Sequence, residues 1–348
     1  MQNPSNVLID GSKFGLDWLK IYWYGALIGL GIVISYLLAA HEVKRRKFHK
    51  DTAIDLCLIV VPLGAIFARL YYVVFSWKDY FNSSMTLGQS LKAVLDVRSG
   101  GLAIYGAVIG GLLGIFIYSR VKKAHFLSHC DLVMPGVVLS QAIGRWGNYF
   151  NQEAYGKLIA DWFPAYWPLA VRIDKCDLPC CADLADKTGN IHYATFFYES
   201  CWCLLIFIFL WFFLRKRAKH RGDITLTYLM LYGFERMFIE ALRTDSLMLG
   251  RVRISQLVSA VLFVGILLFF ILRAAKEKRT GVLTMDVNEI YYGGELAQKT
   301  GKEPKPEPEK ETEAPEPEPE KEEEPEAEAE APAPAPEPEP ETSSEKNE

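Results

Sequence analysis

The sequence predicts an all-α membrane protein with seven transmembrane helices, its N-terminus outside and its C-terminus inside, followed by a disordered acidic tail. Three observations predict it. Apolar runs of near 20 residues, the length that crosses about 30 Å of hydrocarbon as helix, begin at seven places. Lysine and arginine, which resist translocation, gather after the first, third, fifth and seventh runs. From Lys302 onward the chain turns to Glu, Pro and Ala, with 19 Glu against 5 Lys, so this tail carries −14 and residues 1–301 carry +10 of a total of −4.

Residues 1–19 read as an external segment, 20–279 as the seven-helix domain and 280–348 as a cytoplasmic tail. The runs start around Ile21, Ala53, Gly101, Asp131, Thr195, Ile224 and Ile254. The first has no basic residues ahead of its apolar core and a basic cluster behind it, the reverse of a cleaved signal, so it stays as a helix. The third and fourth hold Gly110, Gly111, Gly114, Pro135 and Gly136, which weaken a soluble helix but permit close packing in a membrane bundle.

The basic clusters are Lys44 to Lys47, Arg120 with Lys122 and Lys123, Arg215 to Arg221, and Arg273 to Arg279. They place the loop of about 151–193 outside, where acid exceeds base. Cys176, Cys180 and Cys181 cluster in that loop, where either a bracing disulfide or free thiols fit; with no nearby histidine they make a poor zinc site. Cys57, Cys130, Cys201 and Cys203 read as small apolar packing residues. From Lys302 the tail has almost nothing apolar to offset the entropy of ordering, so it is expected to be a disordered, solvated extension.

Ionisable residues inside a span cost several kcal/mol unless they face a cavity or a partner, which makes each a functional candidate. At about 1.5 Å per helical residue, Arg69, Arg145 and Arg236 sit about 25, 21 and 18 Å from the cytoplasmic ends of their spans. All three fall in the outer half. In span six, Tyr232, Arg236, Glu240 and Arg243 recur at i, i+4, i+8 and i+11 and share a face. Arg145, Asn148 and Gln152 do likewise in span four, while Tyr24, Tyr105, Tyr198 and Glu199 lie near the outer ends of theirs. Two carboxylates, Glu199 and Glu240, are too few to neutralise Arg69, Arg145, Arg236 and Arg243, and the excess invites an anion. In the outer leaflet the abundant anion is a phospholipid phosphate, which guanidinium meets with two parallel hydrogen bonds.

The segment Gly144-Arg145-Trp146-Gly147-Asn148-Tyr149-Phe150-Asn151-Gln152-Glu153-Ala154-Tyr155-Gly156 closely resembles the signature of the prolipoprotein diacylglyceryl transferases. Tyr22 to Gly25, Gly100 to Gly106, and Tyr232 to Arg236 with Glu240 and Arg243 resemble the same family in the same order, so that the likeness runs over roughly residues 15–275. It implies transfer of the diacylglyceryl group of phosphatidylglycerol to the lipobox cysteine of a prolipoprotein at the outer face of the bacterial plasma membrane. Glycerol 1-phosphate leaves, and no metal or cofactor takes part. The resemblance puts the lipid-binding arginine on Arg145, its neighbours on Asn148, Glu153 and Gly156, the second essential arginine on Arg236, its acid on Glu240, and the first-span tyrosine on Tyr24. Arg243 joins the lipid-binding set.

Two departures bear on the chemistry. Many members have histidine where this chain has Tyr105, and H-P-T-F-L-Y-E-S where it reads Tyr193 to Ser200. The general base is therefore unassigned, and Tyr24 and Tyr105 are expected to supply hydrogen bonds at the reacting centre. A cationic pocket favours the thiolate, and the same arginines hold the phosphate as charge grows on C–O cleavage. The alternative from another class, a transporter or flippase for an anionic lipid or solute, calls for a repeated half or matched broken helices near the midplane, and the sequence has neither. A lipid phosphatase lacks its metal or nucleophile constellation here.

Overall fold

The computed structural model describes residues 6–10, 12, 20–81, 85–96, 100–160, 162–173, 191–243, 248–249, 252–281, 289–292 and 295–298. The expectations for Cys176, Cys180 and Cys181 and for the tail from Lys302 lie outside the described residues. The long helices are α1 (Trp23–Arg46), α2 (Thr52–Phe75), α5 (Ile104–Val121), α6 (Phe126–Asn151), α7 (Thr195–Arg217), α8 (Asp223–Leu242) and α9 (Ile254–Thr280). Two short ones, α3 (Trp77–Tyr80) and α4 (Leu87–Leu95), fall between α2 and α5.

Six of the long helices are long and apolar enough to cross a membrane. The exception is α8, helical over 20 residues but bearing Asp223, Glu235, Arg236 and Glu240. Two starts differ from the sequence reading. Helix α5 begins at Ile104, because Gly100 and Gly101 adopt positive φ (91° and 72°), the left-handed region that glycine tolerates and helix excludes. Helix α6 begins at Phe126, five residues before Asp131, because Asp131 is spent inside the bundle. Its carboxylate accepts from Gly222 N (2.7 Å), Thr225 N (2.9 Å) and Thr225 Oγ1 (2.7 Å), capping the first turn of α8 from a neighbouring helix.

The helices pair through bare backbone. Along α5, Gly106, Gly110 and Gly114 meet Phe67, Leu63 and Val60 of α2, and a Cβ on Gly106 would lie 2.7 Å from the Phe67 carbonyl carbon. Between α1 and α6 the device is reciprocal. Gly31 faces Ser140 and Gly136 faces Ser35, with the two serine hydroxyls 2.8 Å apart and Ser140 Oγ donating to Gly31 O at 2.6 Å. Small residues let the axes approach where lipid supplies no hydrophobic drive between helices.

Apolar side chains fill what remains. One core cluster gathers Val43, Leu56, Ile115, Tyr118 and Leu132, and a second gathers Val138, Ile206, Leu210, Ile224 and Tyr228. Cys130 and Cys203 are buried in these clusters as expected of packing residues, whereas Cys201 is exposed. The outward faces are apolar too, as on α9, where Val261, Val264 and Leu272 are exposed. Such a surface suits hydrocarbon.

The two ends of the bundle differ. At the end of α1 opposite Tyr24, buried Glu42 accepts from Arg45 (Nη2, 2.7 Å), Arg46 (Nε, 3.0 Å) and Arg215 of α7. Around Tyr24 the chain builds a small cap instead. Strand β3 (Ala170–Arg172) pairs antiparallel with β4 (Ile191–Tyr193), Leu158 bridges to His192, and Gly156 bridges to Arg243. Two-stranded ribbons also form between β1 (Val7–Asp10) and β2 (Lys20–Tyr22), β5 (Met248–Leu249) and β6 (Val252–Arg253), and β7 (Glu289–Tyr292) and β8 (Glu295–Gln298).

Candidate active site

Helix α6 carries the densest set of functional candidates in its last two turns and then stops. Gln152 (φ 54°) takes the left-handed cap position and Ala154 (φ 55°) follows, so the chain doubles back over its own end. Glu153 is thereby turned toward the helix, where it accepts from Asn148 Nδ2 (3.1 Å) and Asn151 Nδ2 (3.3 Å). Thr195 Oγ1, at the first turn of α7, donates to Ala154 O at 2.6 Å. Gly156 is wedged between β4 and the end of α8, since a Cβ there would meet Tyr193 Cβ at 2.7 Å and Leu242 O at 3.2 Å. Its role is close backbone approach.

Trp146 locks the same turn from the other side. Its Nε1 donates to Ser200 Oγ at 3.1 Å, Ser200 Oγ donates to Ala142 O at 2.8 Å, and the indole meets the rings of Tyr149, Phe196 and Phe197. Arg145, held by this anchored turn, points to the α7–α8 seam. There Arg145 Nε stands 2.7 Å from Glu199 Oε2, and Arg145 Nη2 donates to the Tyr232 hydroxyl at 3.2 Å. The other oxygen of Glu199, Oε1, is bonded to Arg236 Nη1, and Arg236 Nη2 lies 2.8 Å from Glu240 Oε2. Arg253, at the start of α9, donates to the Glu240 carbonyl.

One buried carboxylate, Glu199 at 1% exposure, thus spans two guanidiniums with one oxygen on each. Tyr24 adjoins this group through α1, its ring lying on Gly147 beside Arg145.

Two sequence expectations are corrected here. Arg69 does not share the anion-facing group: Nε donates to Val94 O (2.8 Å), Nη1 to Gly100 O (2.8 Å) and Gly101 O (2.9 Å), and Nη2 to Ala93 O (2.7 Å) and Asp96 O (2.8 Å). All five of its donors end on backbone carbonyls, whose dipoles satisfy the charge without a carboxylate. The acids are also not too few. Arg145 and Arg236 are balanced by Glu199 and Glu240, and Glu235 lies within electrostatic reach of both arginines.

Glu235 is the residue that sequence reasoning missed. It is 6% exposed, and among the described residues neither of its carboxylate oxygens has a hydrogen-bond partner. The stripe of Tyr232, Arg236, Glu240 and Arg243 runs through i+4, whereas Glu235 at i+3 from Tyr232 faces inward as well. Arg243 takes part in the bridge to Gly156. Tyr105 stands apart, 55% exposed in the first turn of α5, with its ring tilted against Tyr71. His192 is fully buried, its Nδ1 2.8 Å from Gly156 O, and burial pushes the imidazole below its ordinary pKa despite that hydrogen bond.

The arrangement offers two guanidiniums cradling one oxyanion, tyrosine hydroxyls close by, and carboxylates able to move protons. Sequence comparison finds relatives of the chain. Residues 13–272 match the family model described as prolipoprotein diacylglyceryl transferase. A phosphatidylglycerol–prolipoprotein diacylglyceryl transferase of Clostridium kluyveri is 40% identical over 274 residues, 78% of this chain and 99% of that protein. Proteins of the same name from Finegoldia magna (40% over 261 residues, 75% of this chain and 94% of the relative) and Clostridioides difficile (38% over 270 residues, 78% and 98%) are similar along their lengths.

Proposed function

The chain belongs to the prolipoprotein diacylglyceryl transferase family, and from that premise we propose how this site performs the transfer. The enzyme moves the diacylglyceryl group of phosphatidylglycerol to the thiol of a prolipoprotein's lipobox cysteine, the first step of lipoprotein maturation. The observation that carries the reading of the site is the pair Arg145 and Arg236, aligned on one bridging oxyanion in the seam of α6, α7 and α8.

A phosphodiester presents two non-bridging oxygens with the span of a carboxylate, so the donors that now hold Glu199 suit a lipid phosphate. Attack by sulfur on the glyceryl carbon bearing the phosphate sends the C–O electron pair onto the phosphate oxygen. Fixed guanidiniums stabilise that growing charge without reorganisation. In this reading Asn148 and Glu153 orient the headgroup glycerol, Gly156 and Arg243 hold the cap that closes over it, Glu240 fixes Arg236, and Tyr24 donates a hydrogen bond near the reacting centre, whereas Tyr105, apart from the arginines, takes no step in it.

Helix α8 is span six and completes the set of seven. Its charges face the bundle, where Arg236 pairs with both neighbouring acids, so they are not set against lipid. With basic residues following spans one, three, five and seven, the Arg145 end faces outward and the Glu42 end faces the cytoplasm of the bacterial plasma membrane. The tail beyond Lys302 takes no part in the chemistry, and a chain ended near Thr284 keeps its turnover.

The test is direct. Purified enzyme, phosphatidylglycerol vesicles and a lipobox peptide are mixed and the peptide is weighed. A diacylglyceryl mass gain on cysteine that disappears in Arg145→Ala and Arg236→Ala supports the reading; an undiminished gain in either variant removes that arginine from it.

A further inference from the structure

The transfer needs a group to take the thiol proton, and the carboxylates gathered at the α6–α8 seam differ in what already holds them. Glu199 gives Oε2 to Arg145 and Oε1 to Arg236. Glu240 is held by Arg236 one turn along the same helix. Glu235 makes no hydrogen bond to either arginine, so anion binding there breaks no bond of its own. His192 Nε2 is sealed inside the cap. Tyr105 stands against Tyr71 with its face exposed. Among the described residues, only Glu199 has both oxygens on the donors that a phosphodiester would use.

We propose that Glu199 is the proton acceptor of the reaction and that the substrate itself unmasks it. In the resting enzyme its carboxylate occupies the phosphate position as an internal substitute. Arrival of phosphatidylglycerol, on the reading above that its phosphate binds Arg145 and Arg236, takes those donors and leaves the lone pairs of Glu199 open beside the glyceryl carbon. The S–H proton passes to a Glu199 oxygen, and the thiolate forms the S–C bond while the C–O bond breaks and its electron pair leaves on the phosphate. The protonated Glu199 then gives its proton to the departing glycerol phosphate and returns to the arginines, so charge and atoms balance over the cycle. An acceptor exposed only when lipid is bound also keeps the cysteine from being deprotonated in an empty site.

The groups facing Glu199 from the packed helices are Arg145 on α6 and Tyr232, Glu235, Arg236 and Glu240 on α8. A purely structural role for Glu199, holding two arginines in place, makes the opposite prediction for lipid binding.

The experiment uses the full-length enzyme in nanodiscs and Glu199→Gln. Two quantities are read: equilibrium binding of labelled phosphatidylglycerol, and single-turnover transfer to a lipobox peptide from pH 6 to 9. Glu199→Gln is expected to bind lipid as tightly as wild type or more tightly, because a competitor for the arginines has lost its charge. Its transfer rate at pH 7 is expected to fall roughly 100-fold or more, the scale of a lost general base. That deficit should narrow about tenfold per pH unit toward the thiol pKa of about 8.5, as the solvent supplies thiolate. Glu199→Asp, which keeps a proton acceptor, should retain the wild-type pH dependence, and it carries the test if the glutamine variant melts early. Weakened lipid binding with a wild-type rate at saturating lipid, or a pH dependence in either variant opposite to that stated, overturns the proposal. Undiminished lipid binding in Arg145→Ala instead overturns the phosphate site on which it rests.

Discussion

The ring of Tyr24 lies on the bare Cα of Gly147, so near that a methyl group on that glycine would stand 2.7 Å from Tyr24 Cε2. The contact ties the first turn of α1 to the turn of α6 that bears Arg145 and Asn148, and the neighbouring pair Trp23 and Phe150 stacks at 4.7 Å to hold the same crossing. Gly147→Ala is therefore expected to expel the tyrosine ring, costing about 1–3 kcal/mol as overpacking does, and to lower the melting temperature and turnover together. Tyr24→Phe keeps the ring and should keep the melting temperature while turnover falls. Equal melting of the alanine variant and wild type would show that the crossing yields.

Arg145→Lys should fail nearly as completely as Arg145→Ala in the peptide mass assay, with at least a 100-fold loss, on the order of losing an oxyanion donor. Lysine brings the charge, but it cannot direct one nitrogen to Glu199 or a phosphate and another to the Tyr232 hydroxyl. Near-normal turnover in the lysine variant would reduce Arg145 to a generic positive charge.

Arg69 predicts a different phenotype. Its five donors staple the end of α4 to the Gly100–Gly101 turn that starts α5, so Arg69→Lys loses several of these hydrogen bonds at about 0.5–1.5 kcal/mol for each. The expected result is a fall in thermal stability with phosphatidylglycerol affinity unchanged in the folded fraction. A selective loss of lipid affinity at wild-type stability would return Arg69 to the anion site.

His192 sets an acid limit on the cap. Burial holds its folded-state pKa below the ordinary value of about 6.5, so the neutral ring is favoured in the fold and the contribution is intact above that pH. It is lost progressively as pH falls below about 6.5 toward the lowered value. The protection factors of the amides of Gly156 and Tyr193, whose N–H groups close the cap on Tyr193 O and Lys157 O, should fall between pH 7 and 5.5. His192→Phe should abolish that fall, and constant protection in wild type would deny the histidine this part.

Six helices long and apolar enough to cross a membrane and the polar end of the bundle are legible because hydrocarbon makes the rules strict: apolar length, glycine where axes touch, and charge only where partnered. Arg145, Arg236 and Glu240 could be named from spacing and motif. What the pattern could not show was pairing. Arg69 has the same depth and residue type as Arg145, yet its partners are carbonyls of a turn 24 to 32 residues away, and carbonyls carry no sequence mark. Glu199 was visible as a carboxylate near the outer end, but its bridge between Arg145 and Arg236 depends on how α6, α7 and α8 meet. The fourth apolar run starts around Asp131 in the sequence, and the use of that carboxylate as a cap for α8 is again a tertiary fact.

The glycine seam between α2 and α5 bears on how freely such a gene can drift. At Gly106 and Gly110 the nearest opposing atoms belong to the main chain of Phe67 and Leu63, so no mutation in the partner helix can retract them to admit a side chain. Compensation by a second-site change is closed there, whereas Val108, Ile109 and Leu112 on the exposed faces of the same helix can exchange among apolar residues at little cost. A saturation library of α5 scored for growth should therefore show an unforgiving codon at every fourth position and tolerance in between, and revertants of a Gly110 lesion should arise only at codon 110.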